Sequence, residues 1–99
     1  MKDKELLIPP DAIEASNSFE ILRVWAANNK QHVTIRHNLN GGAYEFGYMI
    51  PQLLEHGSLL YSQREGIALE EARKEVISGF YDELKDPSGN ASGSIPIEH

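Results

Sequence analysis

The sequence contains no cysteine, so neither disulfides nor thiolate metal sites can hold the fold. That suits a reducing compartment, and the cytoplasm is the expected location. Long apolar runs are missing as well. Leu6–Leu7–Ile8 in "MKDKELLIPP" is far too short for the core of a secretory signal. No stretch approaches the roughly 18 apolar residues of a membrane helix, so a soluble chain with no membrane partner is expected. Tryptophan occurs once, at position 25. With 99 residues, 40% of them apolar, the chain makes one small domain near the lower limit for burying a core alone.

An excess of positive charge is also lacking. The net charge of −6 divides into −3 over residues 1–20, +3 over residues 21–40 and −6 over residues 41–99. An acidic chain repels phosphate backbones, which argues against nucleic acid as a partner. The one basic segment carries only Arg23, Lys30 and Arg36.

The usual marks of chemistry are equally scarce. Gly42 and Gly47 in "GAYEFG" have phosphate-loop spacing, but Tyr48 and Met49 stand where that loop needs lysine and a hydroxyl. Neither "EHGSLLYS" nor "VISGFY" forms the nucleophile elbow of a hydrolase. His32 and His37 lie five apart on a strand, hence on opposite faces, and no His–carboxylate pair has the helical spacing of a zinc site. His56 reads as a partly buried packing residue, and Tyr44, Tyr48, Tyr61 and Tyr81 as rim packing. No catalytic residue, metal or cofactor is assigned, and the balance points away from an enzyme.

What is present is a pattern of elements. Residues 1–18 read as an arm, in which Pro9–Pro10 introduces one helical turn through Glu14 and Leu6 and Ile8 dock on the core or extend a sheet edge. Strands follow from about Phe19 to Ala27 and Gln31 to His37. The loop between them is either Asn28–Asn29 or Asn28 to Gln31. Ala43, Phe46, Ile50, Leu53, Leu54, Gly57 and Tyr61 recur at helical steps, predicting a helix from about Ala43 to Gln63. Pro51 either kinks that helix or restarts it, and Gly66 stops it. Leu69, Ala72, Val76, Phe80 and Leu84 form the stripe of a second helix, stopped by Asp86–Pro87 and supported by a Glu70–Lys74 pair. Gly57 and Gly79 suit a close crossing of these two helices. Residues 87–99 are expected to be a flexible tail. The domain proper spans 19–86.

Alternation sorts the hairpin into two faces. Leu22, Val24, Ala26, Val33 and Ile35 form one, expected to lie under the helices. The other carries Phe19, Ile21, Arg23, Trp25, His32, Thr34 and Arg36 and would be left open. Leaving Phe19, Ile21 and Trp25 wet forgoes several kcal/mol, at about 1.5–3 for each large apolar side chain. A covering surface is therefore needed: a second copy, a protein partner, or the arm folded over Trp25. Ile21, Arg23, Trp25, His32, Thr34 and Arg36 are the binding candidates, since Trp and Arg dominate interface hot spots. The alternative function is a small anionic ligand or substrate held by Arg23 and Arg36, with His32 as the titrating group.

"LIPPDA", "EILRVWAA", "QHVTI", "EFGYMI" and "ARKEVISGFYDELKDP", in that order, resemble a small bacterial family known as domain of unknown function 5076. In that family the first helix reads tryptophan–glycine, an apolar run, alanine–aspartate, then arginine–histidine. Phe46–Gly47 and His56 fit this pattern, whereas Pro51–Gln52 and Glu55 depart from it. The resemblance implies a small protein of this architecture, mostly from proteobacteria, and adds no reaction. The expected fold is α+β: a two-stranded antiparallel hairpin followed by two α-helices packed on one face (ββαα). A four-stranded sheet across a homodimer is one way to complete it.

Overall fold

Two prolines and a pair of asparagines decide the first half of the chain. In the computed structural model, which describes residues 4–87, helix α1 spans Pro10–Glu14. Pro10 costs its first turn no hydrogen bond, because that N–H has no helical partner anyway. The turn closes through Ala12 N–H and Ile13 N–H to Pro9 O at 2.9 and 3.1 Å. Leu6 and Leu7 are 97% and 95% exposed, so the arm neither docks on a core nor extends the sheet.

Strands β1 (Leu22–Ala27) and β2 (Lys30–Ile35) pair antiparallel, with Leu22 opposite Ile35 and Trp25 opposite His32. Asn28 and Asn29 have φ of 54° and 62°. Two consecutive left-handed residues make the primed turn whose twist matches that of the strands. The two-residue loop is thus the register adopted. Regular pairing starts three residues later than expected at Phe19 and ends two short of His37. One further bond, Arg36 N–H to Ile21 O at 2.9 Å, continues the ladder.

Helix α2 (Ala43–Glu65) begins where Gly41 turns the chain at φ 91°. Gly42 N–H donates to Glu45 Oε1 at 2.8 Å, which caps the helix from inside because Gly42 has no side chain to do so. The helix passes through Pro51 without restarting there. Gly66, at φ 67°, stops it, and Ser62 Oγ donates to Ile67 O at 2.7 Å to fix the corner. Helix α3 (Leu69–Lys85) then ends at Asp86, as expected. A left-handed alanine costs about 1 kcal/mol more than glycine. Gly66→Ala should lower thermal stability by that amount while Gly66→Asn loses less, a ranking that calorimetry can check.

The ββαα order and α+β class follow the sequence. The packing does not. Helices α2 and α3 pack on one another and bury Ser58 and Ala72, each 2% exposed, at their contact. No strand Cα comes within 8 Å of a helix Cα, so the hairpin stands apart instead of lying under the helices. Val24, Val33 and Ile35 remain 45–49% exposed. Alternation identifies the apolar face of a strand pair but does not say what covers it. The expected tail lies, apart from Pro87, outside the described residues.

Candidate interaction surface

The six hairpin candidates do come together on one face. Register puts Trp25 across from His32 and Arg23 across from Thr34, with Ile21 and Arg36 joined at the next step. Trp25 is half-buried and Ile21 is 36% exposed. His32 Nε2 lies 3.2 Å from Ala27 O, so the ring donates its N–H there.

Both arginines already have partners. Arg23 grips the Glu20 carboxylate with two bonds, Nε to Oε2 at 3.1 Å and Nη2 to Oε1 at 3.0 Å. Its remaining Nη1 reaches Glu5 Oε2 at 2.9 Å, tying down the arm. These contacts, Glu20 first, push the Arg23 pKa above its ordinary value. Arg36 donates from Nε to the Glu20 carbonyl at 2.7 Å and lies 5.1 Å over the Phe19 ring. Two carboxylates from the segment before the hairpin therefore engage Arg23, while Arg36 is held by a main-chain carbonyl and a ring. Glu20 could be suspected from its nearness in sequence, but nothing local pointed to Glu5.

The helix pair carries features the sequence reading missed. Arg73 forks onto Glu55, with Nε to Oε1 at 2.9 Å and Nη2 to Oε2 at 2.7 Å, and so links α3 to α2. Glu70 approaches Arg73 at 3.8 Å, not the expected Lys74. His56 is exposed rather than partly buried. Tyr44 and Tyr48 stack on each other at 6.2 Å on the open side of α2, both largely exposed. Gly57 and Gly79 do not serve the α2–α3 crossing, because a Cβ added at either meets no heavy atom within 4 Å. Among the described residues two shallow hollows lie on the helix pair. One is lined by Tyr61, Ile67 and Val76 and the other by Gly79, Asp82 and Lys85, both away from Trp25.

Two carboxylates make folding pH-dependent. Hydrogen bonds from Gly42 N–H and then from its own N–H hold the Glu45 carboxyl below the usual range. The Arg73 guanidinium does the same for Glu55. A carboxylate with a lowered folded-state pKa contributes stability that is present above its unfolded pKa, near 4.5. That contribution is lost as pH falls through the folded value. The melting temperature should therefore fall on acidification below about pH 4.5. Glu45→Gln combined with Glu55→Gln should flatten that slope, and melts at a series of pH values test it. Both groups are exposed, so the effect is small.

The chain belongs to the family described as domain of unknown function DUF5076, whose model matches residues 5–88. No match was found among curated proteins. A solved structure from the photosynthetic bacterium Rhodopseudomonas palustrus CGA009, described as a "putative pyruvate dehydrogenase", is similar to this chain with a TM-score of 0.60. It is 18% identical, over 83% of this chain and 94% of that one. At that identity the likeness concerns the fold alone.

Proposed function

We propose that this protein is a small, non-enzymatic interaction module that works as a self-associated assembly. The observation that supports this reading is its apolar exposure. Among the described residues Ala72 is the one buried apolar residue, while twenty large apolar side chains are at least 36% exposed. Apolar exposure on this scale points to an interface. The location in keeping with a cysteine-free, acidic chain is the cytoplasm.

The hairpin face of Ile21, Arg23, Trp25, His32, Thr34 and Arg36 is the surface offered to a second copy or a protein partner. A small anionic ligand fits less well, because Arg23 is already held by Glu5 and Glu20. Assembly predicts mass action: the melting temperature should climb several degrees between dilute and concentrated samples. A melting temperature that does not move with concentration would count against self-association. Arg23→Ala with Trp25→Ala should weaken assembly. Wild-type dilution behaviour in that double variant would take the hairpin face out of the contact.

A further inference from the structure

The middle of helix α2 has almost no charge. Between Phe46 and Gln63 its one charged side chain is Glu55, and that carboxylate is bound by Arg73. Helix α3, by contrast, carries Glu70, Glu71, Arg73, Lys74, Glu75, Asp82, Glu83 and Lys85. A helix apolar nearly all round belongs in an interior, yet α3 covers only the side of α2 that bears Ser58.

One side has a period, along which Phe46, Leu53 and Leu60 are exposed and Ile50 and Gly57 half-buried. Phe46, Ile50, Leu53, Gly57 and Leu60 follow one another at steps of four, three, four and three, which is heptad spacing. The stripe covers about 21 Å of helix at 1.5 Å per residue. Leu53 and Leu60 lie roughly 140–160° around the helix from Ser58, on the side turned away from α3. They are 45% and 57% exposed, and Phe46 is 38% exposed. Gly57 sits in the stripe with open space where a Cβ would stand.

We infer that this stripe is the seam of a homodimer, α2 of one copy packing on α2 of another with Gly57 at their closest approach. The inference rests on the self-association proposed above. Two features favour a second copy as occupant. Each chain carries −6 overall and −6 over residues 41–99, so two helix pairs repel least where they meet through a stretch poor in charge, and the middle of α2 is such a stretch. A heptad stripe is also self-complementary, since the knobs of one helix fit the holes of its twin. Glycine in a helix interior is otherwise the poorest choice after proline. At a crossing it allows the backbones to approach.

The test compares the two mid-helix glycines by light scattering and thermal melts over a concentration series. In the separate chain an added Cβ meets nothing within 4 Å at either site, so alanine alone should harm neither. Gly79→Ala and Gly79→Leu should raise the melting temperature and leave the dimer intact. Gly57→Leu should shift the equilibrium at least tenfold toward monomer, with Gly57→Ala in between. A Gly57→Leu protein that dimerises as the wild type does and melts higher overturns the seam and leaves self-association standing. A wild type that is monomeric at every concentration overturns both.

Discussion

On the proposed α2 seam, replacing Leu53 by aspartate is expected to leave monomers where the wild type associates. Leu53 lies on the uncharged stripe of α2, 45% exposed and turned away from α3. Removing a buried leucine typically costs about 2–5 kcal/mol, and each dimer loses two. Even the lower figure, counted twice, weakens association roughly a thousandfold. Aspartate adds a charge on each side of a seam that has none. Leu59, 41% exposed, lies about 100° around from Ser58 and off the stripe, so Leu59→Asp should leave association within severalfold of wild type. Sedimentation of the two variants side by side reads the difference. Loss of association in both would mean that any apolar surface is enough and that the stripe has no special role.

Pro51→Ala should make the protein markedly more stable. Proline inside a helix removes one hydrogen bond and presses on the carbonyl four residues back, at a cost of about 3 kcal/mol relative to alanine. Here that carbonyl belongs to Gly47, whose surroundings hold no heavy atom within 4 Å of an added Cβ. The helix continues through the site unbroken, so an alanine N–H finds its acceptor in place. Recovering about half the cost raises the melting temperature on the order of 10 °C for a domain of this size. Melts of wild type and Pro51→Ala at one protein concentration decide it. An unchanged or lower melting temperature would mean that Pro51 itself contributes to a contact of α2 that alanine loses.

The local grammar of this chain was legible and its assembly was not. Asn28–Asn29, Gly66 and Asp86–Pro87 marked turn and helix ends because each acts through its own backbone. The continuity of α2 across Pro51 was not decided locally, since a kink and a restart satisfy the same periodicity. The face membership of Trp25, His32, Arg23 and Thr34 followed from alternation and was correct in either register. Their electrostatics was not readable in the same way. Glu5 reaches Arg23 across 18 residues, a contact that no spacing rule reports.

The expectation that the helices cover the hairpin failed for a related reason. Apolar faces on β1, β2 and α2 show that something must cover them, and the simplest candidate was the rest of the same chain. The strands and helices stay apart, so the rest of the same chain does not meet that need. The same logic reverses the reading of Gly57. Its place within the helix pair suggested α3 as its neighbour, yet the side it opens is empty.

The central claim is that the folded, working form is a dimer, and solution mass tests it most directly. Light scattering from about micromolar to about hundred-micromolar concentrations, with circular dichroism on the same samples, is the measurement. The account predicts a mass twice the chain's 11.1 kDa, with helix content lost only where the mass falls. A monomer of 11.1 kDa that keeps its helices and melts cooperatively at every concentration would contradict it.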